Sequence, residues 1–126
     1  MTVVLDASAL LAYLLQEPGA EVVDGLLSDA RMASVNWAEV VQKAVSAEVS
    51  VSGMREELQA LGMQVEPFLA VDGEKTGQLW PHTRQLGLSL GDRACLSLGL
   101  RLGLTVVTCD PAWAQLPLAL EVQILR

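Results

Sequence analysis

Apolar runs with a period of two alternate along this chain with apolar stripes of period 3.6, the pattern of strands joined by helices. Thr2-Val3-Val4-Leu5 is a short run rich in β-branched residues and reads as strand one. Leu10, Leu11, Leu14 and Leu15 form one helical stripe, and Val22, Val23, Leu26 and Leu27 form another beyond the Glu17-Pro18-Gly19 break. The stretch 31–35 reads as strand two. Helices over about 36–49 and 53–61 follow, the second stopped by Gly62. The stretch 64–67 reads as strand three. A helix from about Val71 ends or kinks at Pro81, another spans 90–102, and Gly103 caps it before a strand opening at Thr105. The stretch 121–125 supplies the last strand. This alternation predicts the α/β class: a parallel sheet with helices on both faces, in one domain over residues 1–126, with no linker or repeat.

Four acids occupy the ends of these elements. Asp6 closes the first strand, just before the helical stretch that begins near Ser8. Asp110 closes the Thr105-Val106-Val107-Thr108-Cys109 run and is followed by Pro111, a residue suited to the first position of a helix. Asn36-Trp37-Ala38-Glu39 and Ser89-Leu90-Gly91-Asp92 each place an acid three residues after a capping residue, which puts Glu39 and Asp92 in first helical turns. In an α/β sheet the crossover helices run antiparallel to the strands, so all four acids fall on one edge. If the sheet reverses its winding beside strand one, Asp6 and Asp110 end adjacent strands at the crevice where such sheets bind ligands. Converging carboxylates repel one another and raise each other's pKa, and hard oxygen donors with open positions are what Mg²⁺ or Mn²⁺ requires. The plainer account of each acid alone is a helix cap or a partner of the helix dipole. Other acids, Glu21, Asp24, Asp29, Glu56 and Glu57, fall on solvated helix faces.

Composition narrows the setting. A hydrophobic fraction of 52% and a mean hydropathy of +0.39 accompany apolar stretches too short and too often interrupted to span a membrane. The start of the chain lacks the basic region of a signal peptide, so the mature chain is expected to begin at Met1, in the cytoplasm. Two cysteines, Cys95 and Cys109, are too few for a disulfide framework and lack zinc-site spacing; both read as reduced core residues. The only histidine, His82, follows Pro81 in a polar stretch and reads as a surface residue without a partner to tune it as a base.

Val3-Val4-Leu5-Asp6-Ala7-Ser8-Ala9-Leu10, Asn36-Trp37-Ala38-Glu39-Val40, Leu88-Ser89-Leu90-Gly91-Asp92-Arg93-Ala94-Cys95-Leu96 and Val107-Thr108-Cys109-Asp110-Pro111-Ala112-Trp113 together resemble the PIN-domain family, and within it the VapC-type toxins. The likeness runs in order over nearly the whole chain, and the segment around Asp92 is its most specific part. It implies a three-layer α/β/α fold on a central five-stranded parallel sheet of order 3-2-1-4-5. It also implies a Mg²⁺-dependent endoribonuclease, toxic when free, that leaves a 5′-phosphate and a 3′-hydroxyl and is covered by a VapB-like antitoxin. By position, Asp6 and Asp92 match the acids most often taken as metal ligands there, and Glu39 and Asp110 match the third and fourth acids. Ser8 matches the hydroxyl that steadies the first acid, and Asn36 the polar residue opening the second motif. Both residues are equally suited to capping helices.

A net charge of −7 argues against a general nucleic-acid binder. Arg84 and Arg93 are the candidates for contact with RNA phosphates, whereas Arg101 reads as solvated helix surface. The same acidity suits a basic protein partner; in the resembling family the antitoxin's tail often sets a basic side chain among the acids. The apolar excess, with Trp37, Trp80 and Trp113, points to a homodimer, although Trp113 fits the core. A phosphoacceptor receiver domain, which pairs acids on its first strand and carries a late lysine, fits poorly: Leu5-Asp6-Ala7 holds one acid, and no lysine follows Lys75. The remaining alternative is a catalytically inert PIN-like module that binds a partner protein or RNA.

Overall fold

The computed structural model describes residues 1–126. Five strands, β1 (Val3–Leu5), β2 (Ala30–Ala33), β3 (Gln64–Glu66), β4 (Thr105–Thr108) and β5 (Val122–Ile124), form one sheet of order β3-β2-β1-β4-β5. All four pairings are parallel. The winding therefore reverses at β1, whose neighbours β2 and β4 leave in opposite directions along the chain. Seven helices connect the strands: α1 (Ala7–Leu14), α2 (Ala20–Leu26), α3 (Ser34–Ser46), α4 (Met54–Ala60), α5 (Ala70–Gln78), α6 (Trp80–Thr83) and α7 (Leu90–Leu102).

Strand alternation divides the core in two. Val3, Leu5 and Val107 pack with residues of α1 to α4, whereas Val4 and Val106 pack with Cys95, Leu96 and Leu98 of α7 and with Trp113. Strands buried on both faces need continuous apolar runs, which is what Val3-Val4-Leu5 and Thr105-Val106-Val107 provide. The α7 helix begins in a reciprocal box, with the Ser89 Oγ accepting from the Asp92 N–H at 3.1 Å and Asp92 Oδ2 accepting from the Ser89 N–H at 2.9 Å. It ends at Gly103, whose φ of 66° satisfies the left-handed cap.

Several boundaries depart from the sequence expectation. The second strand is Ala30–Ala33, and Ser34 and Val35 already belong to α3, so Asn36 is not a cap but an interior residue of the first turn. Glu39 consequently lies in the second turn. The first helix is capped by Asp6, whose Oδ1 accepts from the Ala9 N–H, and not by Ser8. The helix expected to end or kink at Pro81 does break there: α5 stops at Gln78, and Pro81 sits in the first turn of the short α6, where its missing N–H costs nothing. Trp113, Cys95 and the solvated acids stand as expected, but Cys109 is partly exposed at the end of β4.

Gly62 turns the chain from α4 into β3 at φ 114°, and a Cβ there would stand 2.6 Å from the Ser28 Cα. Both the dihedral and the backbone-to-backbone approach demand glycine. Gly62→Ala is expected to lower stability by about 2 kcal/mol or more, from backbone strain and overpacking combined. Urea unfolding should show the midpoint falling at unchanged slope; an unaltered midpoint contradicts this packing.

Candidate metal centre

Asp6 leaves β1 at the carboxyl edge of the sheet, and its N–H donates to the Val107 carbonyl at 3.0 Å, which continues the β1–β4 pairing by one residue. Its carboxylate is almost wholly buried and lies within a fixed set of donors. Ser8 Oγ donates to Oδ1 at 2.7 Å, the Ala9 N–H donates to Oδ1 at 2.8 Å, and Thr108 Oγ1 donates to Oδ2 at 2.5 Å. The Ser8 hydroxyl in turn accepts from the Cys109 N–H at 2.9 Å, and Thr108 Oγ1 accepts from the Asp110 N–H at 3.1 Å. Side chains from β1, α1 and β4 thus fix one carboxylate in one orientation.

Three hydrogen bonds do not offset the desolvation of this group. Burial pushes the Asp6 pKa up from its ordinary 3.8 to about 6, the donors from Thr108, Ser8 and Ala9 pull it partway back, and the charge of Asp92 pushes it up again. The buried Cys95 thiol, one α7 turn beyond Asp92, registers the same field. Desolvation raises it well above its usual value, and Asp6, Asp92 and Glu39 add to the rise. Negative charge from three separate elements therefore converges on this point of the sheet edge.

Glu39 reaches it from α3. Asn36, 1% exposed, donates from Nδ2 both to Glu39 Oε1 and to the Gly91 carbonyl, each at 2.8 Å, and so ties α3 to the first turn of α7. Gly91 makes the approach feasible, because a Cβ at that position would lie 2.6 Å from Glu39 Oε2. Asp92 spends Oδ2 on its own helix cap, and Asp110 spends Oδ1 on the Ala112 N–H at 3.0 Å, as N-cap of a 3₁₀ turn over Pro111–Gln115. As the side chains stand, no three acids are placed to enclose a single ion. Of the four carboxylates expected from the sequence, Asp6, Glu39 and Asp92 act together on Cys95, while Asp110 is tied to Thr108 only through its backbone N–H.

No basic side chain enters. The four ion pairs of the molecule, Arg31–Glu66, Arg55–Glu56, Arg101–Asp72 and Arg126–Glu17, use none of these acids. Arg93, expected in solvent or on phosphate, is instead buried at 8% exposure and donates from Nε to Thr83 Oγ1 at 2.7 Å. Arg84 and His82 are exposed, and Arg101 spends its charge on Asp72. A donor set of carboxylates without a protein cation suits the chemistry of a hard divalent ion, with Asp6 the acid held most firmly.

Two participants were missed from sequence. Thr108 faces Asp6 because Leu5 is in register with Val107, so the next residue of β4 meets the next residue after β1. A hydroxyl at the end of the strand beside a strand-end acid was the available signal. Gly91 was visible only as a helix residue next to Asp92.

Asp6 also sets a dependence on pH. An acid whose pKa is raised on folding costs stability above that raised value, and the cost fades as pH falls toward the unfolded value. In metal-free protein, wild type should therefore gain about 1 kcal/mol relative to Asp6→Asn between pH 7 and pH 5. Thermal unfolding of the pair in chelator checks this, and stability curves that run parallel across that window contradict it.

A family model described as PIN domain matches residues 3–118. Comparison with curated proteins found no match. Among solved structures, a chain of a toxin–antitoxin complex from Klebsiella pneumoniae is similar at TM-score 0.74 and 15% identity, covering 99% of this chain and 98% of its own. A chain of DNA-bound VapBC from Salmonella typhimurium follows at TM-score 0.70 and 16% identity, covering 100% and 99%. VapBC-1 from nontypeable Haemophilus influenzae gives TM-score 0.69 and 21% identity over 99% and 98%. At these identities the likeness is one of fold.

Proposed function

The chain belongs to the PIN-domain family, and on that footing we propose that it is a Mg²⁺-dependent endoribonuclease, the toxin of a VapBC-like toxin–antitoxin pair. The observation that carries the reading is the convergence of Asp6, Asp92 and Glu39 on one field at the carboxyl edge, without a basic partner. Asp6, Glu39, Asp92 and Asp110 are the proposed holders of Mg²⁺ or Mn²⁺. A bound ion of this kind supplies an activated water and neutralises charge on the phosphodiester during attack. The chain's own residues do the positioning. Ser8 and Thr108 fix the plane of the Asp6 carboxylate, Asn36 holds Glu39 against the first turn of α7, and the Ser89 box orients Asp92.

The partners follow from charge and surface. A net charge of −7, with unpaired acids at this edge, suits a VapB-like antitoxin that offers a basic side chain to them, and similar folds are found in toxin–antitoxin complexes. Exposed Leu15, Val22, Val45 and Val49 support a homodimer in the free protein. No helix is long and apolar enough to cross a membrane, and the proposed site of action is the cytoplasm.

A second reading, an inert module that binds a partner protein or RNA without cutting, is favoured by one feature: Asp92 and Asp110 each spend an oxygen on a cap, and no three acids enclose an ion. Divalent ions separate the two. The nuclease reading expects Mg²⁺ or Mn²⁺ at a hundredfold excess over its dissociation constant to stabilise the protein by about 2.7 kcal/mol, and Asp6→Asn to abolish that gain. It expects cleavage of RNA in Mg²⁺ that falls at least a hundredfold in Asp92→Asn. Melting that ignores divalent ions, together with RNA left intact by wild type, establishes the inert module instead.

A further inference from the structure

Residues 75–101 carry four of the eight basic side chains, Lys75, Arg84, Arg93 and Arg101, the only histidine, and one of the fifteen acids, Asp92. A chain of net charge −7 thus keeps one positive stretch, and Asp92 lies within it. The α5 helix packs along α7, and α6, which follows α5, is tied to α7 by a side-chain hydrogen bond. Arg101 meets Asp72 at 3.4 Å toward one end, and Arg93 Nε meets Thr83 Oγ1 at 2.7 Å toward the other. That second bond fastens α6 beside the residue next to Asp92.

On α6, Trp80 is 50% exposed, whereas Trp113 is buried and Trp37 packs against the core. The guanidinium of Arg84 lies 5.0 Å from the centroid of the Trp80 ring and forms no ion pair. The indole is therefore steadied by a cation on one side while half of the residue meets solvent. Leu79 and His82, on either side of Trp80 in the chain, line a cleft of about 340 Å³ together with Lys75, Gln78, Ser97 and Arg101. Lys75 is unpaired there, and Arg101 is shared with Asp72.

We propose that single-stranded RNA flanking the cut phosphate crosses this face, with an unpaired base stacked on Trp80 beside Arg84 and neighbouring phosphates over Lys75 and His82. The inference rests on the nuclease reading and adds the substrate's path. An exposed aromatic with an uncompensated cation is the combination that holds single strands, since every base offers a face to stack and every linkage a charge to meet. Duplex RNA, its bases already stacked on one another, gains little from such a platform. A large exposed tryptophan also suits a protein interface, but a partner that brings basic side chains to the acids is repelled by a positive face.

The test uses the full-length Asp92→Asn protein in Mg²⁺ and a fluorescein-labelled single-stranded RNA of about 12 nucleotides and mixed sequence. The strand is expected to bind and quench tryptophan emission, and a duplex of the same length to bind about tenfold more weakly. Trp80→Ala should weaken single-strand binding about tenfold, the range of one base–aromatic stack. Trp80→Phe should stay within about threefold of the parent while losing most of the quench. If Trp80→Ala binds as tightly as the parent, the platform is overturned and the nuclease reading stands. If that variant leaves affinity unchanged but alters the mass measured by light scattering, the indole belongs to a subunit contact and the platform is again overturned. RNA that binds neither protein and is not cut by wild type removes both readings together.

Discussion

A carboxylate buried at the end of the central strand is the constraint around which this molecule is arranged. Asp6 follows β1, the central strand of the five, and its side chain has almost no access to water. Burying an ionised carboxylate without donors is prohibitive, so the surroundings supply three: a hydroxyl and an N–H from the first turn of α1 and a hydroxyl from the end of β4. Even so, desolvation outweighs them and the group stays poised near pH 6. A fold that meets this cost and then adds Asp92 nearby has charge in excess of what its own hydrogen bonds can quiet.

The architecture explains how that excess arises from distant parts of the chain. Parallel pairing brings the carboxyl ends of all the strands to one edge, and the right-handed crossovers bring the start of α7 to the same edge. The reversal of winding at β1 opens the crevice there, and Asn36 closes α3 onto α7 across it. The same helix sends Arg93 to α6 and Arg101 to α5. The acids proposed to do the chemistry and the bases proposed to guide the strand thus share α7 as their support.

Much of this was legible in the sequence because it depends on local rules. The Ser89–Asp92 box and the Gly103 stop specify α7 with correct bounds, runs of valine specify β1 and β4 to within one residue, and a Pro after Asp110 specifies the turn that follows β4. Where tertiary contacts override local preference, the reading failed. Asn36 has the look of a cap, yet its side chain is recruited by Glu39 and the Gly91 carbonyl, and α3 begins two residues earlier. Arg93 looks solvated on a helical wheel, but it is buried and Thr83 Oγ1 on α6 accepts a hydrogen bond from its Nε–H. Neither the register that sets Thr108 against Asp6 nor the space that Gly91 leaves for Glu39 has any local signature.

Diffraction from crystals soaked in Mn²⁺, with data collected at the manganese absorption edge, tests the central claim most directly. The account predicts an anomalous peak within coordination distance of Asp6, with oxygens of Asp92 or Glu39 turned toward it. A map at saturating Mn²⁺ with no peak beside Asp6, and with the carboxylates still bound only to their caps and hydroxyls, contradicts it.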